Sequence, residues 1–431
     1  MRGREVFPRL ARWDVGRSRV LWEWRRCAVE MSHDPMSNAS TQVSPGAPTV
    51  VGGLSTHAMK TVAVLGSGHF IVDLCQGVLP LTLPFLLTRL RLDYMQASLV
   101  VSTAYVTSSI TQPAFGLLRW PWGRRATLWL GVPLACAGLA AIMVADSYAA
   151  LLVAVVVSSA GTAMFHPEAV SQAHLAGGTQ GAKSMSFFVM CGSIGFTSGA
   201  MIFGPLLAAY GLGSLGWLLV PGLLFPWLLR MRPGGAAGPR VQVASRVAAG
   251  EIARRMGIPV AVAALRQCAM AGLIALLPLY FTVHLRQPAQ VGGWMMFALQ
   301  LGSNLGMFAY GFMEPRFGRE TLLRAGLLVS VPLLLVFPYT TGMVTAGLLL
   351  LAGIGLALPM MAIALLGQVV MPENRALAAS LVLGLGIGVG GITSGLLGRV
   401  ADHWGIVVAL QLAGLLPLGA AALSLRLPNG Q

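Results

Sequence analysis

About a dozen apolar stretches of roughly 20 residues run from Val62 to Leu425, parted mostly by short loops rich in arginine. At ~1.5 Å of rise per residue, such a stretch in helical form matches the ~30 Å hydrocarbon core of a bilayer. The pattern predicts helices over 62–88, 97–118, 126–145, 149–174, 182–210, 214–230, 257–283, 289–313, 320–338, 342–370, 375–398 and 405–425. Composition agrees: 56% of residues are hydrophobic and 10% charged. A soluble domain of this size could not bury so much apolar surface. The chain therefore reads as an all-α polytopic membrane protein with twelve transmembrane helices, and its function must lie in the few polar groups held inside the bilayer.

The longest polar interval between spans, residues 231–256, carries Arg232, Arg240, Arg246, Arg254 and Arg255 and reads as a linker between two six-helix halves, 60–230 and 257–431. Residues 1–59 stand apart: an arginine-rich start, then a Ser/Thr/Pro/Gly-rich segment expected to be disordered. Met59, directly before the first span, is an alternative translation start. Lys and Arg in alternate loops favour one side by about four to one. By the positive-inside rule both termini are expected in the cytoplasm, with the protein in the cytoplasmic (inner) membrane. The net charge of +15 would suggest nucleic acid in a soluble protein; here it places arginines against anionic lipid, and no nucleic-acid partner is expected. The five cysteines show no CxxC or metal-ligand spacing and read as reduced packing residues.

The halves repeat a loop. After the second span come Gly116, six residues, then Gly123, Arg124 and Arg125; after the eighth come Gly311, six residues, then Gly318 and Arg319. Glycine permits a sharp turn at the membrane surface, and arginine anchors it. These loops resemble the gating motif Gly-x-x-x-Asp-x-x-Gly-Arg-Arg of the major facilitator superfamily. The family's acid falls at Trp120 in the first copy and Pro315 in the second, with Glu314 one place early. The resemblance implies two pseudo-symmetric six-helix bundles acting as a monomeric carrier.

Ionisable groups interrupt two spans. In the first, His69, Asp73 and Gln76 stand at i, i+4 and i+7, on one helical face. An imidazole that titrates near neutrality, one turn from a carboxylate, can hold or pass a proton; the alternative is a polar pair that locks neighbouring helices. In the fourth, His166 and Glu168 flank Pro167, where the lost backbone donor should kink or unwind the helix beside a cavity. Glu168 also lies far enough along the span to be a solvated helix end.

Three segments together, Ser67-Gly-His69-Phe-Ile-Val-Asp73, Phe165-His166-Pro167-Glu168 and Ala401-Asp402-His403, resemble the fosmidomycin resistance protein family of drug exporters over roughly residues 62–425. The likeness implies proton-coupled efflux of a small organic molecule, a phosphonate among the candidates, with His69, Asp73, His166 and Glu168 handling the proton.

Arg266 in the seventh span could grip an anionic substrate through its planar fork, or snorkel to the interface. Gln76, Gln112, Gln300, Asn304 and Gln368 could line a cavity or bond neighbouring helices. There is no ATP-binding loop, so a proton gradient is the expected energy source, with no cofactor. Spacings such as HExxH are absent, and neither a metal nor an enzyme activity is expected. Proton-coupled uptake of a small organic anion is the alternative function; a membrane sensor or embedded enzyme is more remote.

Overall fold

The computed structural model describes residues 55–117, 125–231, 249–371, 377–378 and 381–427. Among them, twelve α-helices follow one another, with short 3-10 and π turns and no strand. We number them α1 (Thr56–Leu90), α2 (Tyr94–Leu117), α3 (Arg125–Ala141), α4 (Tyr148–Ala176), α5 (Gly181–Tyr210), α6 (Leu219–Arg230), α7 (Ala249–Leu279), α8 (Ala289–Phe317), α9 (Arg319–Val336), α10 (Gly342–Val370), α11 (Gly386–Trp404) and α12 (Ile406–Ser424). Helix α7 begins at Ala249, eight residues before the boundary read from hydropathy. Local chemistry sets several ends. Ser55 and Ser147 cap α1 and α4 by accepting from Ala58 N–H and Ala150 N–H. Gly318 and Gly405 join consecutive helices at φ +77° and +88°, where a side chain would be strained.

Packing repeats in the two halves. Helix α1 packs on α5 as α7 does on α11; α3 packs on α4 as α9 does on α10, and α3 on α6 as α9 does on α12. Within the halves, glycines let backbones approach. A Cβ on Gly77 or Gly195 would strike the carbonyls of Phe196 or Phe70 at the α1–α5 crossing, and one on Gly302 or Gly353 those of Leu350 or Leu299 at α8–α10.

Eight stretches are long and apolar enough to cross a membrane. Helices α2, α8 and α11 are not among them, and the packing gives the reason. With α5 they form the seam between the halves: α2 lies along α11, and α5 along α8. Part of their glycine positions face the other bundle: Gly391, Gly395 and Gly398 of α11 meet α2, and Gly293 of α8 meets α5, while Gly302, Gly306, Gly386 and Gly390 pack within their own half. On the seam, Ser102 Oγ donates to Gly391 O at 2.6 Å, and Asn304 Nδ2 donates to Thr197 Oγ1 at 2.8 Å.

Of the two outcomes expected at Pro167, a kink or an unwound turn, the second does not occur: helix α4 runs through Pro167 without unwinding. Proline removes a single backbone donor, and the surrounding bundle tolerates that loss. Of the repeated loops, Gly123 and Arg124 lie outside the described residues. Gly116 falls in the last turn of α2 and Arg125 opens α3, while Gly311 lies within α8. Arg319 pairs with Glu314 at 3.9 Å, so the acid that stands one place early still meets the loop arginine.

Candidate functional site

Three predicted residues converge at the centre of the first half. His69 and Asp73 stand one turn apart on α1, with Nε2 3.2 Å from Oδ2. From α4, His166 brings its Nε2 to 3.5 Å from the other carboxylate oxygen, Oδ1. Gln76, a turn further along α1, donates to Oδ1 at 3.1 Å. The side chains are nearly enclosed, with 9%, 17% and 16% of His69, Asp73 and His166 accessible.

Each ring is held from behind. His69 Nδ1 lies 2.8 Å from Phe188 O, and His166 Nδ1 lies 2.8 Å from Thr162 O. A carbonyl only accepts, so both Nδ1 atoms carry hydrogen. In the neutral rings Nε2 is then a lone pair, and both lone pairs face the carboxylate. That arrangement is repulsive until a proton or another cation sits between ring and acid. Phe188 stacks on His69 at 4.2 Å between centroids, and the two imidazoles meet edge to face at 4.9 Å. Helix α5 comes close because residue 192 is glycine: a methyl built there would collide with His69 Nε2 and Asp73 Oδ2.

Glu168 does not join this cluster. Two positions beyond His166, it points elsewhere on α4, where it is buried and accepts a hydrogen bond from Gln172.

Arg266 is 4% exposed and lies midway along α7. Its Nε donates to Leu356 O at 2.7 Å and its Nη1 to Gln267 Oε1 at 2.6 Å. Both partners are neutral, and three of its five N–H groups have no partner among the described residues. A small, partly open pocket lies between α1, α2, α3 and α4, lined by Gln76, Tyr105, Ser158, Ser159 and Thr162 among apolar side chains. Tyr105 of α2 thus faces the same pocket as Gln76 of the acid cluster.

The other polar candidates separate. Asn304 bonds Ser193 O and Thr197 Oγ1 and so belongs to the α5–α8 seam. Gln300 keeps Oε1 buried without a partner among the described residues. Gln112 is exposed and Gln368 half-buried.

Asp402 has a role that its family-like segment does not announce. At the end of α11, it accepts from Tyr94 N–H at 2.8 Å and Met95 N–H at 3.0 Å, at the start of α2 in the other half. The adjacent N–H groups are satisfied locally: Gln96 N–H donates to Asp93 Oδ1 at 2.6 Å, and Asp93 N–H to Gln96 Oε1 at 3.2 Å. This Asp-x-x-Gln capping box is legible in the sequence, whereas the cap from α11 is not.

Among the described residues, twelve helices form two matched halves with ionisable side chains enclosed within them, the architecture of a polytopic membrane protein. The sequence profile of the Major Facilitator Superfamily matches residues 65–382, and the chain belongs to that family. It is 24% identical over 392 residues to the fosmidomycin resistance protein of Escherichia coli (strain K12), covering 88% of this chain and 95% of that protein. It is 26% identical over 397 residues to the uncharacterized MFS-type transporter YfnC of Bacillus subtilis (strain 168), covering 87% and 94%. In three dimensions it resembles a D-xylose-proton symporter with a TM-score of 0.71 and 15% identity, over 86% of this chain and 98% of the other.

Proposed function

We propose that the protein is a secondary active transporter that exports a small organic molecule in exchange for protons, acting as a monomer in the cytoplasmic membrane. The observation that carries the reading is the His69–Asp73–His166 cluster. Each Nε2 is aimed at one carboxylate and has its other ring nitrogen already committed, so a proton entering the cluster has a defined seat. One negative charge balances one added proton. A second would leave net positive charge among helices in hydrocarbon, which costs ~2.5–3.5 kcal/mol or more. Proton arrival and departure thus alter how favourably α1 and α4 sit together, which can bias an equilibrium between two arrangements of the halves.

Arg266 supplies the substrate side of the reading. A buried guanidinium with unused donors and neutral partners favours a ligand carrying carboxylate, phosphate or phosphonate. The 24% identical relative named for fosmidomycin resistance supports export. Gln300, beside the seam, is a candidate for a further contact.

The test uses purified protein in liposomes with an imposed pH gradient and a panel of phosphonates, antibiotics and organic acids. The wild type is expected to move at least one anionic member against the direction of proton flow. Asp73→Asn should abolish gradient-driven movement while leaving insertion and monodispersity intact. Wild-type rates in that variant would remove the proton role, and co-directional movement would convert export into uptake.

A further inference from the structure

We propose that His69, Asp73 and His166 also form a binding site for a divalent transition-metal ion such as Zn²⁺ or Co²⁺. The distances fit. An ion bound tetrahedrally at ~2.0–2.1 Å holds neighbouring donor atoms ~3.3 Å apart. Here Nε2 of His69 is 3.2 Å from Oδ2, and Nε2 of His166 is 3.5 Å from Oδ1. All three ligand atoms lie within 4.8 Å of one another.

The surroundings fit as well. Metal-bound histidines characteristically donate their second ring nitrogen to a carbonyl or carboxylate, which fixes tautomer and orientation. Phe188 O and Thr162 O do so here for both rings. The outcome is two lone pairs and one anion pointed at the same small region, an arrangement that a doubly charged cation satisfies. Gly192 keeps the α5 side of that region clear, since a methyl there would meet a nitrogen and an oxygen of the ligand set. Gln76 steadies the carboxylate from the remaining direction. Two imidazoles and one carboxylate suit zinc, cobalt or nickel over magnesium or calcium, which take oxygen donors. Three protein ligands leave a fourth position for water.

The ligands come from two helices, 93 residues apart between Asp73 and His166, which no local spacing could reveal. A bound ion would tie α1 to α4 and occupy the positions assigned above to the coupling proton, so it acts as an inhibitor of transport. The binding itself rests on geometry alone and not on the export reading.

The test uses tag-free, chelator-treated full-length protein in detergent. Cobalt titration followed by visible absorption, with zinc equilibrium dialysis in parallel, is expected to give one ion per chain and the intense bands of four-coordinate cobalt. His69→Ala, His166→Ala and Asp73→Asn should each weaken binding by at least ~10-fold. Gly192→Ala should weaken it with every ligand retained, and a variant lacking His57, His174, His284 and His403 should bind like wild type. Absence of stoichiometric binding to monodisperse wild-type protein, or unchanged binding in His166→Ala, overturns the proposal whatever the fold of the other variants. Gradient-driven transport assayed in metal-free buffer separates the two readings. Transport without metal binding leaves the carrier and removes the metal site; metal binding without proton coupling does the reverse.

Discussion

Asp73 shows how far a side-chain pattern can be read and where it stops. The i, i+4, i+7 spacing of His69, Asp73 and Gln76 puts all three on one face by helical geometry alone. The third ring, His166, is marked by the same kind of signal, an ionisable group inside an apolar span, yet nothing local says that it meets Asp73 and that Glu168 does not. A helix turns ~100° per residue, so positions two apart face different neighbours. Hydropathy leaves Arg266 open between snorkelling and substrate contact; the structure buries it at mid-helix and bonds it to Leu356 and Gln267. Its planar fork makes a specific prediction. Arg266→Lys keeps the charge but not two-pronged binding, and is expected to raise KM for an anionic substrate by ~10-fold with a smaller change in kcat, measured as initial rates in proteoliposomes.

Among elements, glycine decides which helices touch. The α1–α5 crossing brings Gly77 against the carbonyl of Phe196, where a side chain has no room. Gly77→Ala is expected to lower stability in detergent by ~1–3 kcal/mol through overpacking, read as a drop in thermal midpoint. Gly347→Ala on α10, where a Cβ meets nothing within 4 Å, is the control. It should leave stability unchanged or raise it slightly, because alanine is the better helix former. Most helix boundaries are legible to within about six residues from hydropathy, since lipid-length apolar runs have one stable form; the starts of α7, at Ala249 against an expected 257, and of α11, at Gly386 against an expected 375, are not. The fate of α4 at Pro167 is not legible, because whether a lost hydrogen bond opens a helix depends on what packs around it.

For the whole molecule, the seam between the halves carries the mechanics. Among the described residues, its hydrogen bonds run from the helix ends opposite the basic loops, where Asp402 caps α2, to the middle of α5 and α8, where Asn304 reaches Ser193 and Thr197. The halves are thus pinned together on one side of the site. A charge-assisted hydrogen bond contributes ~1.5–3 kcal/mol, so the two made by Asp402 are large on the scale of a two-state equilibrium. Asp402→Asn keeps the shape, loses the charge, and presents a donor where only acceptors fit. Spin labels in the loops after α1 and α11 should report an open population at that end increased by ~10-fold; an unchanged distance distribution would remove Asp402 from the latch.

The sequence by itself determined that the chain crosses a membrane about twelve times, that it repeats after six spans, and that ionisable groups such as His69, Asp73 and His166 interrupt its apolar spans. Each of these follows from local hydropathy, spacing or charge, properties that need no partner. Tertiary structure decided which of those groups meet. Contacts such as His166 with Asp73, or Asp402 with Tyr94 at the start of α2, join residues 93 and 308 positions apart. They depend on helix crossing and rotation, which are set jointly by glycine contacts and side-chain volumes across the bundle, and no single segment encodes them.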